Sequence, residues 1–451
     1  MKLKAQLFEF LFIIGALVLR FISNPTADIS YLLIAAFAFL GRTQAIQALV
    51  LSWFFSMANP GIVAEANFAS LGRYAVLFGA ALSVAIRSGF FEKDNFRVRF
   101  VTLGVFILGS FLVVHSFIVS PMVDISLLKV ISWTLAVATV ISAWSGLARE
   151  ERELLSERIF FGLILVMVVS LPLVVLPVGY LTNGTGFQGV LNQPQAFGSA
   201  MALLGAWAVG RIVGEKRPPW LVIGLAAACL IMILMSEART ALFALVLGVG
   251  TGIGIVYVKT GPSIKQVLPG LKSKRVLLVA VLAVGGLALF AGRAENLVTH
   301  FISKGGRSEA ATLLAAYERS RGGVMGEMWE NIQEKPFFGI GFGVASNIQE
   351  MNIKRDPLLG LPIGAAVEKG VLPLAVLEEV GLVGFSVVFA WLFSLLRRWG
   401  RGGVMSVSVG LTALLLNMGE ATFFSPGGMG LLSLVLIGWV VACGQHKVSV
   451  R

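Results

Sequence analysis

Residues 219–259 read PWLVIGLAAACLIMILMSEARTALFALVLGVGTGIGIVYVK, which is two apolar runs around a short polar turn. Each run is close to the length of about 20 residues that a helix needs to cross the hydrocarbon core of a bilayer. The turn between them, SEART at 236–240, carries Arg239. An ionisable group beside a membrane span is costly unless it faces protein or water, so Arg239 is a candidate functional residue. The stretch predicts a helical membrane hairpin.

The same pattern continues along the rest of the chain. Of the 451 residues, 57% are hydrophobic and 13% are charged, and the charged fraction is about half that of soluble proteins. This composition excludes a soluble enzyme with an ordinary charged surface, and it excludes a disordered chain. We expect an all-α polytopic membrane protein with about 12–14 transmembrane helices and one large, partly helical extracytoplasmic loop. The predicted spans are 5–22, 28–40, 44–58, 70–86, 100–119, 124–147, 159–178, 194–212, 219–235, 238–258, 276–291, 371–396, 404–418 and 428–443. The second and third are short, so whether they cross fully is left open.

The distribution of charge predicts the orientation. The net charge is +12, from 36 basic and 24 acidic residues. When the N-terminus is placed inside, most basic residues fall on inner segments, as the positive-inside rule requires. The short turns on the other side contain no Lys or Arg; they are 24–27, 60–69, 120–123, 180–193 and 419–427. We therefore expect both termini in the cytoplasm, and the basic charge reflects topology, not a nucleic-acid partner.

The predicted spans divide the chain into three regions. Residues 1–291 hold the first eleven spans, 292–370 form the extracytoplasmic loop domain, and 371–451 hold the last three spans. Within the loop, residues 308–333 have the pattern of one or two amphipathic helices interrupted by a pair of glycines. A long loop with its own secondary structure is usually functional.

Three arginines and a tryptophan on the predicted outer side each have two interpretations. In one interpretation Arg239 pairs with Glu237 or extends to the lipid headgroups, and Arg319 and Arg321 lie on the solvated face of a surface helix. In the other interpretation all three direct guanidinium groups at a phosphate, which arginine binds bidentately. Trp329 is either an anchor at the membrane interface or a platform for a sugar ring. The two interpretations stay open at this point.

Carboxylates near the predicted span 371–396 are further candidates. Glu378 and Glu379 lie inside this span, and Glu368 and Lys369 precede it. Side chains of adjacent helical residues point about 100° apart, so we expect the two carboxylates not to share a partner. One of them suits a general base, and a structural ion pair is the alternative.

The segment that opens the predicted span 194–212 is also polar. We expect Asn192 to cap the helix and Pro194 to occupy its first turn, whereas the amide of Gln193 also suits a sugar hydroxyl. No metal site is expected, because the three histidines lie far apart in sequence and have no ligand spacing. The glycine-rich stretch 339–343 lacks a surrounding βαβ unit, so a nucleotide-binding loop is rejected.

Several segments together resemble the O-antigen ligase and polymerase superfamily of bacterial membrane glycosyltransferases. They are GFQGVLNQPQAFGSAMAL (186–203), SEARTAL (236–242), Arg321 ahead of Trp329 and KPFFGIGFG (335–343), and LEEVGLVGF (377–385). Their order and their positions relative to the spans carry the resemblance, which covers most of residues 186–396. It implies a multi-pass protein of the bacterial inner membrane whose active site faces the periplasm or the exterior.

The resemblance also implies a reaction. A glycan would pass from undecaprenyl pyrophosphate to a hydroxyl of an acceptor glycan or lipid-glycan, with no cofactor and no metal ion. In that family two arginines hold the pyrophosphate, and by motif they are Arg239 and Arg321 here. Fixed cations would stabilise the charge that develops on the leaving group. The residues expected to contact substrate are Arg319, Gln193, Trp329 and Lys369.

The chain departs from the family pattern at one place. Many ligases of this family have a His shortly before the EvGLxG motif, where residues 368–373 read EKGVLP here. We expect either Glu368 or Glu379 to act as the base, or the reaction to proceed by positioning and leaving-group stabilisation alone. The alternatives are a flippase or transporter of lipid-linked oligosaccharides and a non-catalytic subunit of a polysaccharide export machine. A transporter is expected to carry charges near the membrane midplane, whereas the polar candidates here cluster on the predicted outer side.

Overall fold

The computed structural model of this chain describes residues 2–87, 89–91, 96–182, 184–260, 268–289, 325–355, 360, 362–367 and 369–445. Within these residues the chain forms α-helices, short 3-10 turns and one two-stranded sheet. The helices are α1 (Lys2–Ile22), α2 (Asn24–Ala38), α3 (Arg42–Met57), α4 (Ala69–Arg87), α5 (Phe96–Val119), α6 (Val123–Ser145), α7 (Arg149–Ser170), α8 (Pro194–Gly214), α9 (Trp220–Met235), α10 (Arg239–Thr260), α11 (Lys274–Leu289), α12 (325–334), α13 (Leu372–Trp399), α14 (Val404–Leu415) and α15 (Met429–Gln445). The strands are β1 (Asn352–Arg355) and β2 (Pro362–Ala366).

A helix lies at the position of each predicted span, and α12 lies in the predicted loop domain. Seven of the helices in the described part of the chain are long and apolar enough to cross a membrane. They are Ala69–Arg87, Arg99–Val119, Val123–Ser145, Arg149–Val175, Pro194–Gly214, Arg239–Lys259 and Leu372–Trp399. The expected class, a helical protein with several membrane-crossing segments, is confirmed at this level.

Apolar side chains cover both the interior and the exterior of the bundle. Trp133, Trp144 and Trp439 are buried where helices meet. In contrast, Ile118 is 77% exposed and Leu221 is 83% exposed. A helix that is apolar on every side is typical of a membrane span, because lipid takes the place of water around it.

One end of the bundle collects the segments predicted to face the cytoplasm, and we call it the inner end. The guanidinium of Arg42, the first residue of α3, donates to the carbonyl of Gly146, after α6. Arg152 donates to the carbonyl of Ala442 at 2.6 Å. Both contacts join segments that the charge pattern assigns to the same side.

The opposite end, which we call the outer end, collects the segments predicted to face outward. The backbone N–H of Asn192 donates to the carbonyl of Met57 at 2.7 Å, and that of Phe187 donates to the carbonyl of Met235 at 3.0 Å. These contacts join loops that are far apart in sequence. Segments that are predicted to lie on the same side of the membrane are therefore in contact at the same end of the bundle.

The two short helices α2 and α3 both run between the two ends. At the outer end Asp28 of α2 accepts a hydrogen bond from the N–H of Phe68 at 2.9 Å, and at the inner end the carbonyl of Phe39 accepts from Arg87 at 3.3 Å. Helix α3 begins beside the inner contact of Arg42 and ends beside the outer contact of Met57. They form two antiparallel passes of the bundle.

The described part of the predicted loop domain combines a helix with a hairpin. Helix α12 agrees with the second of the two helices predicted around 308–333, and the residues before 325 lie outside the described part. Strands β1 and β2 are antiparallel, with Asn352 opposite Ala366 and an irregularity between Lys354 and Arg355. The hairpin was not predicted, because its strands are short and lack a clear alternation of apolar and polar residues.

Candidate functional site

Helix α13 is interrupted at Gly381, which has φ 63° and ψ −172°. In a continuous helix the N–H groups of Leu382 and Val383 would donate to the carbonyls of Glu378 and Glu379. Here they donate instead to the carbonyls of residues 336 and 337, at 2.8 and 3.2 Å. The predicted span 371–396 is therefore two helical segments, and the interruption lies near its outer end.

The segment KPFFGIGFG, residues 335–343, fills this interruption with its own backbone. The N–H of Ile340 donates to the carbonyl of Glu378 at 2.9 Å, and the N–H of Gly341 donates to the carbonyl of Glu379 at 3.0 Å. With the two hydrogen bonds donated by Leu382 and Val383, four backbone hydrogen bonds join the segment to α13. They replace the two hydrogen bonds that a continuous helix would have at this place. Backbone groups in a membrane protein must be paired internally, so the segment and the broken helix stabilise each other.

Two glycines make this close approach possible. A side-chain carbon on Gly381 would lie 2.2 Å from the carbonyl carbon of Phe337, and one on Gly339, which has φ 70°, would lie 2.4 Å from the carbonyl oxygen of Glu378. Other residue types rarely adopt such positive φ values and would also collide with the neighbouring backbone. The glycine-rich stretch 339–343 thus follows a tight backbone path, and its partner is α13.

A buried ion cluster lies beside the interruption. The ammonium of Lys369 is 2.6 Å from Oε2 of Glu378 and 3.4 Å from Oε1 of Glu379. The expectation that the two carboxylates share no partner is therefore wrong. Lys369 lies before the helix on a long flexible side chain, so its ammonium reaches the space between two carboxylates that diverge around the helix.

Glu379 has further partners on both of its oxygens. Oε1 is 3.5 Å from the ammonium of Lys129 in α6, and Oε2 accepts a hydrogen bond from the N–H of Gly343 at 2.8 Å. The ammonium of Lys129 also lies 5.1 Å from the ring centre of Phe342. Glu379 therefore ties the end of the 335–343 segment to α6 and α13.

Asn331 of α12 connects the loop domain to the same cluster. Its Nδ2 donates to Oε1 of Glu378 at 2.7 Å and to the carbonyl of Ser346 at 3.0 Å. Both carboxylate oxygens of Glu378 are then bonded, one to the amide and one to the ammonium of Lys369. A fully paired polar cluster of this kind holds its members in one arrangement.

The turn that carries Arg239 is also built from unusual backbone. Glu237 has φ 54°, a left-handed conformation that costs free energy for a residue with a side chain. It lets α10 begin at Arg239 directly after α9, and the hydroxyl of Ser236 donates to the carbonyl of Ile233 at 2.8 Å. Arg239 is half-buried at the outer end of the bundle, next to two apolar helices.

The segment 186–198 packs against this turn. Besides the bond from Phe187 to Met235, a side-chain carbon on Gly198 would lie 2.3 Å from Cβ of Ala238. The first two segments that carry the family resemblance, 186–203 and 236–242, are therefore in contact, as are 335–343 and 377–385.

The start of α8 differs from expectation. Its N-cap residue is Gln193, with no side-chain capping bond, and Pro194 is in the first turn. Asn192 is not the cap, because its backbone is engaged with Met57. The side chain of Gln193 is exposed at the outer end.

The turn between α14 and α15, residues 416–428, connects the two pairs of segments. A side-chain carbon on Gly419 would lie 2.3 Å from Oγ1 of Thr240, the neighbour of Arg239. Two residues further, the N–H of Ala421 donates to the carbonyl of Lys369 at 3.0 Å. The Cα atoms of residues 419 and 421 are at most about 7.6 Å apart, so the Arg239 turn and the ion cluster border the same short turn.

The remaining predicted site residues have different outcomes. Trp329 is exposed on α12, as either of its interpretations requires. Lys369 is buried and paired inside the ion cluster instead of facing a substrate surface. Arg319, Arg321 and Glu368 lie outside the described residues.

The structure brings further residues to the site, beyond those expected to act in catalysis or to contact substrate. Lys129 and Asn331 join the ion cluster, and His115 of α5 donates through Nε2 to the carbonyl of Phe338 at 2.7 Å. His115 and Phe338 are 223 positions apart, so only the fold brings them together. A lysine within a span was the one available signal, since such a charge requires a partner.

Within the described residues, no group of three or more His, Cys, Asp or Glu side chains is arranged to hold a metal ion. The ion cluster is built from the side chains of Lys129, Lys369, Glu378, Glu379 and Asn331. No protein-family model matches this chain, and no curated protein matches it in sequence.

Proposed function

We propose that this protein is a membrane glycosyltransferase of the O-antigen ligase and polymerase type. It would transfer a glycan from undecaprenyl pyrophosphate to an acceptor hydroxyl at the outer side of the bacterial inner membrane. The observation that carries the proposal is the meeting of the four resembling segments in two contacting pairs, both beside the 416–428 turn. If these segments form one site they must meet at one end of the bundle, and they do so in two contacting pairs.

In the proposed reaction the acceptor oxygen attacks the anomeric carbon of the donor sugar. The bond from that carbon to the pyrophosphate oxygen breaks, the configuration inverts, and the acceptor proton passes to a base. Arg239 and Arg321 stabilise the negative charge on the departing pyrophosphate. Arg239 suits this role because it lies half-buried at the outer end, where a guanidinium interacts more strongly with phosphate than in bulk water.

The two predicted bases have different support. Glu379 is buried, and both of its oxygens are bonded to protein groups, so we assign it to holding the 335–343 segment in place. Glu368 precedes Lys369 and stays the predicted proton acceptor. The alternative of catalysis by positioning and leaving-group stabilisation alone remains compatible with this assignment.

One observation, the interruption of α13, is also typical of transporters. Interrupted helices such as α13 often form the substrate or ion site of a secondary transporter, where unpaired backbone groups face a cavity. At Gly381, however, the carbonyls of Glu378 and Glu379 and the N–H groups of the next turn are all bonded to residues 336–341. This pairing supports a structural junction over an ion site.

The proposal is tested by reconstituting the purified protein in liposomes with an undecaprenyl-pyrophosphate-linked oligosaccharide and an acceptor glycan. Arg239→Ala is expected to reduce transfer by about 10²–10³-fold, and Arg239→Lys to restore part of it. Arg211→Ala is the matched control, because Arg211 lies at the inner end and pairs with Glu215 at 2.8 Å. Full transfer by Arg239→Ala would reject the mechanism. Movement of the lipid-linked glycan across the liposome without transfer would favour the transporter.

A further inference from the structure

Arg73 lies in the first turns of α4, at the outer end of the bundle. It is half-buried, and its Nη2 donates to the hydroxyl of Ser70 at 3.3 Å. A side-chain carbon on Gly427 would lie 3.1 Å from Nη1. The guanidinium therefore touches the 416–428 turn, the same turn that borders Arg239 and Lys369.

Arg73 shares a neighbour, Tyr31 of α2, with Arg20 and Asp28. Tyr31 interacts electrostatically with all three of these groups. Arg20 is buried and donates to backbone carbonyls, one of them that of Phe55 at 3.2 Å. Of the two arginines, Arg73 is the more exposed.

Three other cations at the outer end form ion pairs among the described residues. Lys369 and Lys129 pair with the α13 glutamates, and Arg355 pairs with Asp124 at 2.7 Å. In the described part of the chain, no carboxylate forms an ion pair with Arg73. A half-buried arginine held only by a hydroxyl and the edge of a turn has donors left for an anion.

The outer end of α4 carries exposed apolar side chains. Phe68, just before α4, is 63% exposed, and Leu71 is exposed as well. Large apolar side chains on the exterior of a membrane bundle face the acyl chains. A lipid tail can thus lie beside this end of α4, where the half-buried Arg73 is also located.

Arg73 and Arg239 border the same turn, residues 416–428. A side-chain carbon on Gly427 would lie 3.1 Å from Nη1 of Arg73, and one on Gly419 would lie 2.3 Å from Oγ1 of Thr240, the residue that follows Arg239. Between these two glycines the N–H of Ser425 donates to the carbonyl of Thr422 at 2.9 Å. A pyrophosphate has two phosphoryl groups and can accept hydrogen bonds from more than one guanidinium.

We propose that Arg73 binds a phosphate group of the lipid-linked donor, as a further phosphate-binding residue beside Arg239. This inference rests on the proposed function and extends it to α4. Arg73 holds the pyrophosphate end of the lipid where the outer end of α4 meets the 416–428 turn.

The test measures binding of undecaprenyl pyrophosphate to the purified full-length protein in nanodiscs of zwitterionic phosphatidylcholine. Arg73→Gln is expected to weaken binding about tenfold, and Arg73→Lys is expected to be intermediate because it keeps the charge but loses the planar fork. Arg87→Gln is the matched control at the inner end of the same helix, and it is expected to bind as the wild type does. A thermal unfolding midpoint equal to that of the wild type establishes that Arg73→Gln is folded. If Arg73→Gln does not fold, the Arg73→Lys variant is compared with the wild type. Weaker binding by Arg73→Lys supports the role of Arg73, and equal binding overturns it.

The outcomes separate this inference from the proposed function. Wild-type affinity in Arg73→Gln together with weakened binding in Arg239→Ala overturns the role of Arg73 and leaves the function standing. No binding by the wild type rejects both. In nanodiscs that contain anionic phosphatidylglycerol, the difference between wild type and Arg73→Gln is expected to persist. If it disappears there, Arg73 is a site for phospholipid headgroups, and the proposal fails.

Discussion

The ammonium of Lys369 lies 2.6 Å from Oε2 of Glu378, and the two side chains are 2% and 0% exposed. Nine residues separate them in sequence, and the pair closes the outer end of α13 against the segment that precedes it. Because the pair is inaccessible to water, its two members depend on each other more than surface ion pairs do.

Removal of one member is expected to destabilise the fold. Lys369→Met leaves the carboxylate of Glu378 buried with only the amide of Asn331, so the free energy of unfolding should fall by about 3–5 kcal/mol. The double variant with Glu378→Met should lose less than the sum of the two single changes. Denaturant unfolding in detergent micelles measures both effects. The control is Arg149→Ala, whose ion pair with Glu153 is 71% and 61% exposed and should contribute nothing measurable; an equal loss there would contradict the role of burial.

A side chain at Gly381 is expected to expel the 335–343 segment. Gly381→Ala combines an unfavourable positive φ with a collision against the backbone of Phe337, and relief requires the four bonds across the interruption to break. We expect a lower unfolding temperature and faster proteolytic cleavage between α12 and α13. Gly162→Ala in α7 is the matched control, because a side-chain carbon there meets nothing within 4 Å. It should be neutral or stabilising by up to about 1 kcal/mol. Unchanged proteolysis in Gly381→Ala would mean that the segment does not depend on the interruption.

Glu379→Gln distinguishes a base from a positioning residue. The amide keeps the shape of the carboxylate, but only one of its two terminal atoms is an oxygen. It therefore cannot accept hydrogen bonds from the lysines on one side and from the N–H of Gly343 on the other. We therefore expect lower stability, with a transfer rate per folded molecule within about tenfold of the wild type. Loss of a general base would reduce that rate by about 10²–10⁴-fold. The liposome transfer assay, corrected for the folded fraction, decides between these values.

The left-handed backbone at Glu237 gives a further prediction. Glu237→Gly removes the steric cost of φ 54° and should raise the free energy of unfolding by up to about 1 kcal/mol. Glu237→Ala removes the same carboxylate but keeps the strained backbone, so it is the matched control and should give no such gain. A higher unfolding temperature in Glu237→Ala alone would assign the effect to charge instead of conformation.

The predictions from sequence were most reliable where the physical cause is local. The apolar runs on both sides of Arg239 became α9 and α10, because the length and hydrophobicity of a segment decide whether it suits a membrane span. Helices also formed at the two short apolar runs, as α2 and α3. The alternation of basic and uncharged loops agrees with their division between the two ends of the bundle.

The candidate site was only partly predictable. The Arg239 turn and the 335–343 segment were identified as special from their composition. Asn192 was wrongly expected to cap α8, because its backbone bond to Met57 depends on a distant loop. For the same reason Lys369 was expected at a substrate surface, although a buried partner for its ammonium exists only once α13 has formed.

By itself the sequence of this protein determined a helical membrane chain, the order of its spans and the residues that lipid does not tolerate. These follow from hydrophobicity and charge, which each segment carries independently of its neighbours. The tertiary structure alone decided that α13 breaks at Gly381, that Lys129 and Lys369 meet Glu379, and that Arg73 and Arg239 border one turn. Each of these depends on groups that are brought together from distant segments, and a backbone or buried charge takes its partner only where packing supplies one.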